Sequence, residues 1–360
     1  MQKSGLNKSI YLLSILVGSY FLSVNDGFAE DLRKVVQLSG YWKFSIGDFR
    51  EWSDPDFDDS DWDEIKVPDK WENQGYNEYN GYAWYRKEFK IYPIDKGVPV
   101  YFVSGRIDDA DEVYINGHFL AKSGRFPPQY QTAHNQNRKY YIPREYLNFN
   151  KKNTIAVRVY DEYLEGGIIN NPVGIYVDED YQYLNLALSG KWKFHLGDNK
   201  QWKFVNYNDE FWNEINVPSE WEHEGYQEYD GYAWYRKEFR LPSSLKNEDL
   251  YLSLGKIDDY DYVYLNGELI GSVFNLEKDG EYKRRGYEYN ARRVYKIPDD
   301  IINKNGTNTL AIRVYDRIWR GGIYEGPIGI MTEPNYKKYR RKHYENKSFW
   351  DYVIDRLFMD

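Results

Sequence analysis

The chain repeats itself at long range. Residues Gly75 to Phe89, GYNEYNGYAWYRKEF, return as Gly225 to Phe239, GYQEYDGYAWYRKEF, 150 positions later and with two substitutions. Solenoid units are about 20–50 residues long, so a period of this size marks a duplicated domain. A length of 360 residues accommodates two such domains. Copy one spans 36–178 and copy two 186–333. Each opens on a matching strand, Leu38 to Phe44 and Leu188 to Phe194. An acidic stretch follows, ending at Trp62 or Trp212, then Val67-Pro68 or Val217-Pro218, then Trp71 or Trp221. After the duplicated block stand Ile107 to Gly117 and Ile257 to Gly267. The offset then grows to 155, which places a five-residue insertion in copy two before Tyr289. The copies close on Ile155 to Asp161 and Leu310 to Asp316, followed by Gly166-Gly167 and Gly321-Gly322.

The local pattern is all-β. Val113-Tyr-Ile-Asn-Gly-His-Phe-Leu120 sets two short apolar runs around Asn-Gly, a strong hairpin signal because both residues accept positive φ. Residues 155–161 alternate with period two. Short strands broken by Gly, Pro and Asn imply sandwiches, and the brief link at 179–185 implies that the two lie close together. Near the end, Ser348-Phe-Trp-Asp351 resembles a capping box, and Phe349, Trp350, Val353, Ile354, Leu357 and Phe358 fall at helical spacing. A short amphipathic helix is expected there, beyond a basic run at 337–343. It docks on the second sandwich, or alternatively meets a partner or a membrane surface.

Residues 1–29 have the form of an export signal. Lys3 and Lys8 are followed by an apolar run from Ile10 to Val24, which is short for a membrane span, and then by Gly27-Phe28-Ala29. A cleaved signal, or an uncleaved anchor, implies a secreted or periplasmic protein. The chain has no Cys, which excludes disulfides and thiol chemistry. A net charge of −9 leaves no basic footprint for nucleic acid. Aromatic residues make up 19% of the chain. They supply a large core, or a surface that stacks on rings.

The ordered set Trp42, Asp58-Asp59-Ser60-Asp61-Trp62, Val67-Pro68, Trp71-Glu72, Gly81 to Phe89, Asp111 to Gly117 and Ala156 to Asp161 resembles a known domain. It is similar to the N-terminal sugar-binding jelly-roll domain of family 2 glycoside hydrolases, a galactose-binding-like fold. Copy two repeats the set, so the resemblance covers nearly all of 36–333. Similar domains occur as insertions in sialate O-acetylesterases and as exported sensor modules. The resemblance implies two tandem jelly-roll β-sandwiches with a carbohydrate-binding role, because the module accompanies enzymes and does not do their chemistry.

The candidate ligand-binding residues are Trp71, Tyr82, Trp84, Arg86, Arg125 and Asn135 in copy one, and Trp221, Tyr232, Trp234, Arg236 and Asn290 in copy two. Trp84 and Arg86 share one face of their strand, and Tyr85 and Phe89 the other. If the Tyr85 face fills the core, Trp84 and Arg86 are free to meet a sugar. If the sheet is covered on both sides, all four are structural. Asp111 and Arg158 are expected to form a buried pair. The run Asp54 to Asp61 has the alternating carboxylates that calcium favours, but no Gly at its sixth position, and copy two has Phe204, Asn206 and Asn208 instead. It reads as a solvated turn, and no cofactor is assigned. The loops at 122–135 and 272–290 differ most between the copies and so carry any difference in ligand.

Catalysis is not expected. Two sandwiches consume the chain, no Gly-x-Ser-x-Gly elbow is present, and the five His form no ligand pair. The expectation is a non-catalytic carbohydrate or glycoconjugate binder, working with a separate enzyme or sensor protein. The alternative is a structural or signalling adaptor.

Overall fold

The computed structural model describes residues 32–95, 97–273, 288–318 and 320–345. The expected export signal and the helix expected at 348–358 fall outside these residues.

The first half contains β1 (Leu32–Gln37), β2 (Gly40–Ile46), β3 (Asp63–Val67), β4 (Gly81–Lys90), β5 (Val100–Asp108), β6 (Ala110–Ile115), β7 (His118–Ser123), β8 (Asn137–Ile142), β9 (Lys152–Asp161), β10 (Gly167–Ile168) and β11 (Val173–Asp178). One antiparallel sheet runs β3-β2-β4-β9-β6-β7. The other runs β1-β11-β5-β10, with β8 also on β5. Trp42, Phe44, Tyr85, Val113, Val157 and Val159 of the first sheet pack against Phe102, Tyr140, Ile142, Val173 and Ile175 of the second. The period-two alternation at 155–161 puts Ile155, Val157 and Val159 into this core.

The second half repeats the plan with β12 (Leu186–Ala187), β13 (Gly190–Leu196), β14 (Asn213–Val217), β15 (Gly231–Arg240), β16 (Leu250–Asp258), β17 (Tyr260–Leu265), β18 (Glu268–Ser272), β19 (Arg292–Lys296), β20 (Thr307–Asp316) and β21 (Gly322–Thr332). Its six-stranded sheet, β14-β13-β15-β20-β17-β18, has the same order as its counterpart. A single long β21 takes the places of β10 and β11, and the facing sheet runs β12-β21-β16-β19. Both Asn-Gly hairpins form, with φ of 50° and 80° at Asn116 and Gly117 and of 52° and 90° at Asn266 and Gly267. These positive angles match the twist of the flanking strands.

The halves touch. The link between them is a 3-10 turn, Glu179–Tyr183. Within it Tyr181 is buried, and its hydroxyl accepts from the Ile328 N–H at 3.1 Å. The helix α1 (Glu333–Arg340) takes in the first part of the basic run and stacks Tyr336 on Tyr251 of β16. Just beyond it, His343 and Lys342 each lie 2.7 Å from the buried Asp180 carboxylate, which fastens the segment after α1 to the link. No helix among the described residues is long and apolar enough to cross a membrane.

Candidate functional site

The duplicated block is structural along its strand. Tyr85 and Phe89 enter the main core, while Trp84 and Arg86 lie beneath a cover made by residues 48–62. Trp84 stacks on Tyr114 at 5.6 Å and meets Trp52 edge-on at 6.3 Å. Arg86 donates from Nε to the Asp59 carboxylate at 2.7 Å, and to the main-chain carbonyls of Trp52, Asp54 and Phe57. The acidic run Asp54 to Asp61 is thus a turn wound around a guanidinium. Its Asp54 and Asp58 carboxylates accept from the N–H groups of Asp56 and Ser60. Copy two repeats the device with Arg236, Asp209 and the carbonyls of Trp202 and Phe204.

These placements correct six of the candidate residues. Trp71, Trp84, Trp221 and Trp234 have no exposed surface, and Arg86 and Arg236 are each 2% exposed. An indole sealed on both faces offers nothing to a sugar ring. Trp71 instead packs on Gly166, where a side chain would come within 2.0 Å of its ring, and Trp221 packs on Gly321 in the same way. The expected Asp111–Arg158 pair is also replaced. Asp111 bonds Arg138 of the opposite sheet at 2.6 Å, with both side chains fully buried, and accepts from Tyr140. Arg158 grips Asp48 through two hydrogen bonds, at 2.7 and 2.6 Å. Asp261–Arg293 and Asp198–Arg313 are the equivalents in the second half. Sequence reading missed Arg138 and Arg293. Their signal was the matched Arg-x-Tyr at 138–140 and 293–295.

Tyr82, Tyr232 and Arg125 remain partly exposed. Tyr82 stacks on Phe126 at 5.7 Å and leans on Tyr160 at 4.7 Å, and Tyr130 meets Tyr160 at 5.7 Å. The Arg158 guanidinium lies over both Tyr82 and Phe126. Tyr232 sits in a related group with Tyr315, under Arg313. Asn135 and Asn290 are exposed and lie outside the cleft described next.

That cleft, of about 460 Å³, lies between the two halves. The first half lines it with Lys122 to Arg125, Gln131, Thr132 and Gln136. The second half lines it with Glu220, Glu222, His223, Gln227, Glu228, Asp230 and Arg320. Among the described residues, Arg125 reaches Glu228 across it at 2.6 Å, Arg320 reaches Gln136 at 2.6 Å, and the His223 ring meets Tyr140 edge-on at 5.1 Å. Arg320 also pairs with Glu220 at 2.8 Å. Burial pushes the Glu222 carboxyl up to about 8, which favours the protonated form near neutral pH, a form able to donate as well as accept. Burial likewise lowers the neighbouring His223 imidazole. The loop that brings Arg125 and Gln131 to the cleft carries Phe126 and Tyr130 to the aromatic group beside it.

Among the described residues, two sets of possible ligand groups lie close enough to share a cation. They are Asp108, Asp109 and His134 in the first half, and Asp258, Asp259 and Asp316 in the second, each within 4.8 Å. Burial and neighbouring carboxylates raise Asp108 and Asp161 to about 7 each. The same causes raise Asp258 to about 8, and Asp316 to about 6.

The architecture and the paired sites define two tandem β-sandwich domains of the family 2 glycoside hydrolase kind. The model of the family described as beta-galactosidase second all-beta domain matches residues 47–163 and 196–317, once in each half and over more than half of the chain. The chain belongs to that family. It is 23% identical over 158 residues to a beta-galactosidase of Priestia megaterium, a match covering 36% of this chain and 14% of the relative. It is 28% identical over 136 residues to a beta-glucuronidase of Formosa agariphila, covering 33% and 12%. Among solved structures, a glycosyl hydrolase family 2 member from Bacteroides cellulosilyticus aligns over 80% of this chain and 32% of its own, at 15% identity and a TM-score of 0.35. The chain spans less than a fifth of the length of the curated relatives it matches. What is matched is an all-β domain of those enzymes.

Proposed function

We propose that this chain is an exported, non-catalytic carbohydrate-binding protein whose ligand lies in the cleft between the sandwiches. The observation that carries this reading is the cleft's lining. It joins guanidinium, amide, carboxylate and neutral carboxyl groups from both halves within about 460 Å³, beside a half-exposed aromatic group. Hydroxyl-rich ligands need paired donors and acceptors of this kind, together with an aromatic face for their C–H surface. The names of the relatives make β-galactosides and β-glucuronides the first ligands to try. A separate enzyme acting on the same glycan would be the working partner.

The full chain should be screened on a glycan array, and hits titrated by calorimetry. Arg320→Ala and Gln227→Ala should each weaken binding at least tenfold, because each removes a hydrogen-bonding group from the cleft. Absence of saturable binding to any β-galactoside, β-glucuronide or other glycan on the array would overturn the reading. One observation favours the second reading, an adaptor that binds a protein: the indoles of Trp84 and Trp234 are buried and serve the fold. Negative glycan results together with an intact fold would leave that reading in place.

A further inference from the structure

The cleft and the aromatic group beside it are carried by one closed loop. Arg125 and Gln131 bond each other at its base, the N–H of each donating to the carbonyl of the other at 2.9 and 3.0 Å, and both line the cleft. Phe126 and Tyr130, just inside that base, do not line it. Phe126 lies with its plane within 16° of the Tyr82 ring, and Tyr130 meets Tyr160 at 5.7 Å. The Arg158 guanidinium lies over both Tyr82 and Phe126, 4.7 and 4.2 Å from their centres. Arg158 is 6% exposed and is held by Asp48 and Glu112. The face that the two rings turn to it is therefore the inner one, and their exposed area lies away from it. The result is an aromatic platform fixed from below, one residue along the chain from a polar cleft.

We propose that cleft and platform are two subsites of one site, and that its ligand is an oligosaccharide long enough to occupy both, not a single terminal sugar. This rests on the carbohydrate-binding reading given above. The two parts differ in chemistry. The charged groups of the cleft already engage one another, Arg125 with Glu228, and Arg320 with Glu220 and Gln136. A sugar hydroxyl entering there exchanges one hydrogen bond for another, and the net gain from such an exchange is small. The platform covers the C–H surface of a sugar and needs none of its hydroxyls. The cleft thus sets which sugar is recognised, and the platform sets how long a chain is held. Arg125 and Phe126 are neighbours, with Cα atoms about 3.8 Å apart, so a glycan leaving the cleft past Arg125 runs directly onto the platform.

The test is a length series on the full chain. Calorimetry is run with methyl β-galactoside and with β-linked galactose di-, tri- and tetrasaccharides, and with the same series of any other sugar that the glycan array returns. Affinity should rise at least tenfold from the monosaccharide to the trisaccharide. Phe126→Ala and Tyr130→Ala should each lower trisaccharide affinity several-fold more than monosaccharide affinity, so that the gain with length collapses. Phe126→Leu keeps apolar bulk in the loop but removes the ring face. It should behave as Phe126→Ala does, and it keeps the test open if the smaller side chain loosens the loop. Arg320→Ala should weaken binding at every length alike. Equal affinity at every length would overturn the two-subsite arrangement and leave the carbohydrate-binding reading standing. So would a loss in Phe126→Leu that is the same for monosaccharide and trisaccharide. Absence of binding to any glycan on the array would overturn both.

Discussion

Replacing Arg86 with Met separates the two roles its motif admits. The guanidinium is 2% exposed and donates to one carboxylate and three main-chain carbonyls. Methionine fills most of the volume but donates nothing. Breaking a buried pair from one side costs about 3–5 kcal/mol. The Asp59 side chain is 27% exposed and regains water, which removes part of that cost. The three carbonyls are less free to rehydrate, because opening the 48–62 cover would expose Trp84 and Trp52. The sum is about 3 kcal/mol. For a domain of this size that is a fall in melting temperature of about 6–12 °C. Calorimetry and urea unfolding followed by Trp fluorescence would measure it, with Arg236→Met as the same experiment in the second half. Glycan affinity of the folded variant should be unchanged. A fall of less than about 2 °C combined with a tenfold loss of glycan affinity would refute the structural role.

The link between the halves should be sensitive to pH. Burial, with Asp180 nearby, raises Asp178 from 3.8 to about 7 in the folded chain. The native state therefore holds a proton that the unfolded state has released, so this contribution is fully present below about pH 4 and is lost as pH rises through about 7. The loss is on the order of 4 kcal/mol. Asp178→Asn should flatten the decline in melting temperature between pH 5 and pH 8, and an unchanged slope would count against it. Gly166→Ala should destabilise the first half by about 1–3 kcal/mol, because the new methyl would meet the buried Trp71 ring at 2.0 Å. Chemical denaturation reads this, and Gly321→Ala should behave alike against Trp221. Phe126→Ala should weaken glycan binding several-fold with only a modest change in melting temperature, since the ring is partly exposed. A large loss of stability would instead make Phe126 part of the fold.

Much of the frame was legible in the residues. Asn-Gly at 116–117 and 266–267 marks both hairpins, and the alternation through 155–161 marks a strand with one face in the core. The duplication predicts that the second half repeats the first, and its six-stranded sheet does so strand for strand. The candidate site was harder to read. Strand position places Trp84 and Arg86 on one face, but whether that face is covered depends on residues 48–62 folding back over it. That cover is held mainly by main-chain carbonyls, which sequence does not display. The partner of Asp111 had the same difficulty. Arg158 is the near choice along the sheet, yet Arg138 wins because it reaches across from the facing sheet. The cleft depends on the placement of one sandwich against the other, which no motif in either copy encodes.

That placement also lets near-identical frames present different surfaces to one cleft. The cleft is heterologous: it joins the 122–136 loop of copy one to residues 220–230 and Arg320 of copy two, surfaces that do not correspond. Part of the repeated block thus lines the cleft in one copy only. Gln227, Glu228 and Asp230 face the cleft, while their counterparts Asn77, Glu78 and Asn80 do not line it. The substitutions within the block, Asn77 to Gln227 and Asn80 to Asp230, fall at those cleft positions, whereas the strand that follows, Gly81 to Phe89, is unchanged as Gly231 to Phe239. The strand is held constant by what it does inside each sandwich: an Arg winding the cover, a Trp beneath it and a Tyr in the core. The turn before it lines the cleft in one copy only, among the described residues, and it is where the two copies diverge. Exchanging the two turns tests this directly. Gln227→Asn with Asp230→Asn should lower glycan affinity at unchanged stability, and the reciprocal changes at Asn77 and Asn80 should affect neither. Equal effects in both copies would mean that the turn serves the fold and that the cleft is not where ligand binds.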